Sequence, residues 1–205
     1  MELLCVEEKD FSELTAMIME AWPEVLNASE PEKVRTARAA TYLQHNLLHA
    51  DFALKAVEQD VIAGFIIGRT EGDERVFPEE MTRARMHQAM SITGEKKEIP
   101  DEEDPLKKGM SPDHDSEVML LIVSPSFQGR GIGRKLVEAY VDFCTEKGRK
   151  AVYLVTDTLC GFGFYEKLGF RKEGEDHKKF GPHMNNVEVD SYLYAIRLPA
   201  GREHD

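Results

Sequence analysis

Ser116-Glu117-Val118-Met119-Leu120-Leu121-Ile122-Val123-Ser124-Pro125-Ser126-Phe127-Gln128-Gly129-Arg130-Gly131-Ile132-Gly133-Arg134-Lys135-Leu136-Val137 changes its apolar periodicity part-way along. Val118 to Val123 is apolar without polar alternation, the pattern of a strand covered on both faces. From Leu136 the apolar residues fall at Leu136, Val137, Tyr140, Phe143 and Cys144, the spacing of one helix face, and Gly148 is placed to end that helix. A glycine turn joins the two.

Such a joint is built to receive an anion. The first N–H groups of a helix have no acceptor within it, and the aligned peptide dipoles add partial positive charge there. The glycines let the backbone approach a bulky phosphate, and Arg130, Arg134 and Lys135 add positive charge at the same end. Two familiar phosphate loops do not fit. Begun at Gly129, the dinucleotide pattern needs its third glycine where Arg134 stands, and begun at Gly131 it needs one at Leu136. A P-loop needs Gly-Lys-Ser/Thr, which the stretch lacks.

Gln128-Gly129-Arg130-Gly131-Ile132-Gly133 resembles the Gln/Arg-x-x-Gly-x-Gly/Ala signature of the GNAT superfamily of acyl-CoA-dependent N-acetyltransferases. Phe164-Tyr165-Glu166-Lys167-Leu168-Gly169-Phe170 resembles the Phe-Tyr-x-x-x-Gly-Phe of the same superfamily, one strand (Ala151 to Thr156) downstream and in the expected order. The resemblance implies a single α/β domain over residues 1–200. Its mixed, strongly twisted sheet would carry helices on both faces, with a long insertion at 69–115 before the signature strand and a tail at 201–205. It also implies acetyl-CoA as acyl donor. Backbone groups of Ile122 and Val123 would meet the pantetheine arm, and the turn Gln128, Gly129, Arg130, Gly131, Ile132, Gly133 with Arg134 would meet the pyrophosphate. Thr158, where many members carry Asn, would contact the pantetheine. By the same resemblance Glu117 matches the carboxylate that acts as general base, and Tyr165 the tyrosine that protonates the departing thiolate. Direct attack by an amine in a ternary complex is the implied chemistry; the long excursion at 69–115, which would enclose a site, favours small cationic amines over peptide amines. The alternative is a non-catalytic acyl-CoA sensor.

The rest of the chain agrees with one domain: 205 residues suffice for a single sizeable core. Three cysteines without Cys-x-x-Cys spacing favour a reducing, cytoplasmic setting. No stretch approaches the roughly 18 apolar residues of a membrane span, and a net charge of −12 argues against nucleic acid. A homodimer is left open. His45 and His49 stand four apart without a third ligand or the glutamate of a zinc helix, so no metal is expected.

Leu3 to Val6, Phe52 to Glu58, Val61 to Gly68, Phe170 to Asp176 and Val189 to Leu198 read as strands, the second and third joined by a tight turn at Gln59-Asp60. Helices are expected after the start signal Asp10-Phe11-Ser12-Glu13, ending at Trp22-Pro23, and from Glu30-Pro31 to about Asp51. Arg69 to Asp115 breaks the compact plan. Met81 to Met90 has helical spacing, and Glu95 to Asp115 is polar with an acidic run at Asp101-Glu102-Glu103-Asp104, so the segment reads either as a solvated insertion or as a substrate lid. Cys160 reads as a small buried thiol.

Overall fold

A computed structural model describes residues 1–23, 29–72, 74–94, 105–108, 110–179 and 188–199. The acidic run 101–104, most of the link 177–187 and the tail 201–205 fall outside them. Seven strands form one sheet: β1 (Glu2–Cys5), β2 (Phe52–Glu58), β3 (Val61–Thr70), β4 (Ser116–Val123), β5 (Ala151–Asp157), β6 (Arg171–Lys179) and β7 (Glu188–Arg197), in the order β1-β2-β3-β4-β5-β7-β6. Only β4 and β5 pair in parallel, and the helix connecting them is the one that follows the glycine turn. The sheet is therefore mixed, as expected.

The helices are α1 (Phe11–Ala21), α2 (Glu32–Leu48), α3 (Glu79–Thr93), α4 (Ile132–Glu146) and α5 (Gly163–Glu166). Along β4 and β5 the side chains alternate between the two faces. Val118, Val152 and Leu154 join Ile132, Leu136, Val137 and Tyr140 of α4 in one core cluster. Leu120 and Ile122 join Leu14 and Ile18 of α1 and Leu43 and Leu47 of α2 in another. The periodicities of both helical stripes thus sort the helices onto opposite faces.

Local signals behave unequally. Gln59 and Asp60 both adopt positive φ, 54° and 61°, which a two-residue hairpin turn requires. Asp10, expected to cap α1, does not. Its carboxylate accepts the Glu7 N–H at 2.7 Å and the Lys55 ammonium at 2.6 Å, while the Glu13 side chain accepts the Ile62 N–H at 3.3 Å. Both Lys55 and Asp10 are buried, so the ammonium of β2 needs that carboxylate more than the helix end does.

The segment between β3 and β4 is not simply solvated. α3 lies against α2 through Leu48, Met86 and Met90, wider than the helix expected at 81–90. Further on, the turn Pro105–Lys107 places Leu106 against Tyr153, Leu193 and Ala195, on the face opposite α4. Room for it comes from a bulge in β6 between Lys172 and Gly174, where a Cβ on Gly174 would stand 3.3 Å from Leu106.

α4 is locked to the sheet by Tyr140. Its ring lies over Gly68, where an added Cβ would come within 2.4 Å of the ring, and its hydroxyl donates to the Arg69 carbonyl at 2.7 Å. Burial pushes the Tyr140 phenol far above its ordinary value, so it remains a donor at all physiological pH. Gly68→Ala should overpack this contact and cost about 1–3 kcal/mol, read as a lower urea midpoint at unchanged slope.

Candidate active site

β4 and β5 pair only at Ser116 with Val152 and at Glu117 with Tyr153; beyond these the strands part. Met119 is an extra residue in β4, since Ile67 faces Leu120 and Gly68 faces Val118. A bulge bends and twists the strand that carries it, here next to where the pairing with β5 ends. The Ser124 N–H donates to Ala63 at 3.0 Å, which fixes the alternation along β4. Of the two residues expected to meet an acyl donor, Val123 therefore turns its peptide groups to the gap, as does Leu121, while Ile122 turns its own to β3.

The glycine turn stands beside the same gap. Gly129 and Gly131 have φ of 76° and 78°, the left-handed region, with nothing within 4 Å of an added Cβ. The first hydrogen bond of α4 runs from the Lys135 N–H to the Gly131 carbonyl at 3.1 Å, so the amides from Gly129 to Arg134 have no backbone acceptor among the described residues. Gln128 donates to the Val123 carbonyl at 3.3 Å, tying turn to strand. Gly133 is needed for closeness, with Phe164 3.3 Å from where its Cβ would be. These features fit a pyrophosphate at the turn and an extended amide-bearing arm along β4.

Two residues expected to serve the donor are engaged elsewhere. The Arg130 guanidinium pairs with Glu58 at 3.1 Å, donates to the Ser126 carbonyl and lies over the Phe127 ring, leaving only its amide at the turn. Thr158 spends its amide on the Asp190 carbonyl at 3.0 Å, and its hydroxyl accepts from the Asp190 N–H at 3.4 Å. Arg134, in contrast, is exposed beside Glu138.

Glu117 stands at the last rung before the gap and is 7% exposed. Its Oε2 accepts from Arg69 (Nε at 3.0 Å, with Nη2 at 2.9 Å) and from the Tyr153 hydroxyl at 3.0 Å. Its Oε1 accepts from Lys107 Nζ at 2.5 Å. The sequence shows no cation beside Glu117; the fold brings two. Arg69 and Tyr153 are its direct neighbours across the two adjoining strands, and Lys107 comes from the turn held by Leu106, its ammonium 5.9 Å from the Tyr153 ring.

Trp22, at the end of α1, and Tyr42 of α2 form an aromatic pair. Trp22 and Tyr42 meet edge to face at 5.7 Å, and the Tyr42 phenol, pushed up to about 12 by burial, lies within electrostatic reach of Cys160, Glu117 and Asp157. None of these aromatic residues was singled out from the sequence as part of a site. The Cys160 thiol is raised above its usual value by burial, which keeps it a weak nucleophile at neutral pH. Tyr165 packs among Phe164, Phe170 and Tyr194 with no hydrogen bond to its hydroxyl among the described residues. Burial, with the Cys160 thiol behind it, raises its phenol well above the ordinary range, so it carries its proton at neutral pH. His45 and His49 touch edge to face at 5.6 Å, and no cluster of potential metal ligands occurs among the described residues. No described helix is long and apolar enough to cross a membrane.

The model of the acetyltransferase (GNAT) family matches residues 12–170. The chain belongs to that family. A curated relative, the N-alpha-acetyltransferase RimI of Mycobacterium tuberculosis, is 35% identical over 66 residues, 32% of this chain and 41% of the relative. The chain thus spans less than half the length of the curated relatives it matches. Among solved structures, the ribosomal-protein-S18-alanine N-acetyltransferase of Escherichia coli superposes with a TM-score of 0.60 at 13% identity, covering 100% of this chain and 97% of that one. An aminoglycoside 6'-N-acetyltransferase complexed with coenzyme A gives 0.58 at 16% identity, covering 97% and 98%. At these identities the likeness is one of fold, and it matches the GNAT architecture expected from the two motifs.

The anion site at the GNAT turn can be tested with a matched pair. Gly131→Asn and Gly131→Asp have nearly the same shape, and both residues tolerate positive φ. Asp is as good a helix cap as Asn and suits the dipole better, so it should fold at least as stably. Isothermal calorimetry should nevertheless show acetyl-CoA binding about tenfold weaker to the Asp variant, because its charge opposes the phosphates. Equal affinities would remove the pyrophosphate from the turn.

Proposed function

We propose that the chain transfers the acetyl group of acetyl-CoA to a primary amine by direct attack, with a small cationic amine as preferred acceptor. The choice of acceptor is supported by the aromatic pair Trp22 and Tyr42, the latter within electrostatic reach of Glu117 and Asp157. Aromatic faces and carboxylates together favour an organic cation. The turn Pro105–Lys107 packs on the same face of the sheet, which favours a small acceptor over a bulky one.

In this reading acetyl-CoA supplies the thioester, and the chain supplies position and proton transfer. An alkylammonium with a pKa near 10 must lose a proton before it can attack. Glu117 takes it through Oε1, while Arg69 and Tyr153 hold the other oxygen and fix the carboxylate's orientation. The peptide groups of Leu121 and Val123 face the gap, and in this reading they contact the donor. Tyr165, protonated at neutral pH, serves the departing sulfur.

The second reading, a non-catalytic acyl-CoA sensor, is favoured by the engagement of both Glu117 oxygens. The two part on turnover. A panel of polyamines, amino sugars and short peptides, assayed by thiol release with acetyl-CoA, should show multiple turnovers with the small cations. Binding of acetyl-CoA without turnover on any amine would support the sensor.

Two substitutions test the assigned roles. Tyr165→Phe should lower kcat about 10²–10⁴-fold with acetyl-CoA affinity unchanged; undiminished kcat would make Tyr165 a packing residue. Glu117→Gln should be slowest at neutral pH and partly recover as pH rises toward the amine's pKa, where free amine replaces the lost base. A pH–rate profile parallel to that of the unaltered protein would exclude the base role.

A further inference from the structure

The two oxygens of Glu117 are used differently. Oε2 is saturated by fixed neighbours in the sheet, Arg69 of β3 and Tyr153 of β5. Among the described residues Oε1 faces one group, the Lys107 amine, 2.5 Å away. That amine does not come from the sheet. It is delivered by a turn anchored through Leu106 and Met110 against Tyr153, Leu193 and Ala195, and it hangs over the Tyr153 ring at 5.9 Å. Its side chain is 29% exposed. A primary alkylammonium, on the oxygen of a buried carboxylate at the last rung before β4 and β5 part, is what an acceptor amine would present there.

We propose that Lys107 is an acetylation site of this chain, modified in cis: its Nζ occupies the acceptor position and is the first amine acetylated. The inference rests on the acetyl-transfer reading above. The step balances. Glu117 takes one proton from the Lys107 ammonium, and the neutral Nζ forms a C–N bond to the thioester carbonyl carbon. The C–S bond breaks and the sulfur leaves as thiolate. Of the two protons lost as ammonium becomes amide, one ends on the sulfur and one is released to solvent. The product amide is neutral, so its ion pair with Glu117 is lost and Oε1 is exposed to an external amine. The geometry supplies the proximity that such a step needs, a base within hydrogen-bond reach of its nucleophile.

The test uses the full chain, first shown by intact mass to carry an unmodified Lys107, and acetyl-CoA with no added amine. One equivalent of thiol per chain should appear, and tandem mass spectrometry should place the acetyl group on Lys107 ahead of the exposed Lys150 and Lys172. The first-order rate should not depend on protein concentration. Lys107→Arg keeps the cation on Glu117 but not the nucleophile, and should abolish the stoichiometric release; Glu117→Gln should slow modification of Lys107 by about 10²-fold or more. Acetylation of Lys107 no faster than of Lys150, or a rate rising with protein concentration, overturns the inference. The amine panel run on the same preparation separates the two failures. Turnover on an external amine with Lys107 unmodified refutes the internal acceptor alone, and the absence of both refutes the transfer reading with it.

Discussion

The shortness of the ladder between β4 and β5 is the constraint on which the rest depends. Two rungs hold the strands together, and past Glu117 and Tyr153 each continues against a different partner, β3 on one side and β7 on the other. Inside a sheet, unpaired peptide groups are costly unless something replaces the missing strand. The gap is affordable because β4 remains paired to β3 along its length and because the opened edge leads to the mouth of α4, where unpaired amides are gathered as well. An extended, amide-bearing ligand ending in phosphates would satisfy both sets at once. The Met119 bulge supplies the bend in β4, and the apolar packing of α4 under the sheet keeps the turn beside it.

That parting also decides what Glu117 can be. A carboxylate this deeply set would be expensive alone. Arg69 and Tyr153 are not distant recruits but its neighbours across the ladder, so the charge is stabilised by the same register that ends at it. Saturating one oxygen leaves the other directional, and the excursion between β3 and β4 brings an ammonium to it. The excursion therefore contributes a charged partner to the carboxylate. The foothold of the turn that carries Lys107 is small, Leu106 set over the bulge in β6 with Met110 beside it.

Most of the architecture is legible in the sequence because it follows from periodicity. The unalternating run from Val118 to Val123 and the stripe from Leu136 to Cys144 lie in β4 and α4, and the glycines of the turn adopt the left-handed angles that their position demands. What is not legible is convergence. Arg69 looks like the polar end of a strand until Thr70 extends β3 and the bulge sets it opposite Glu117. Tyr153 looks like any aromatic residue in a buried strand. Their polar ends meet Glu117 only once the register is known, and knowing that Glu117 pairs with both strands would have named them. Lys107 carries no such signal, since its place is set by the burial of Leu106. Trp22 reads as a helix stop and Tyr42 as one residue of a helix face, although the two rings meet. The Asp10 cap fails for a related reason: a long-range demand, the buried Lys55, outweighs a local preference.

Tyr140 bears on how such a molecule loosens. Its hydroxyl holds the carbonyl of Arg69, and the side chain of that same residue holds Glu117. Its ring fills the space that Gly68 leaves, in the helix whose first turn carries the unpaired amides. Phosphate turn, arginine and carboxylate therefore hang from one tyrosine. A motion that lifts α4 from the sheet loosens the first turn of the helix and the carboxylate's support in a single event, so the hydrogen-bonded amides of α4 and of β3 beside Gly68 should exchange as one cooperative unit.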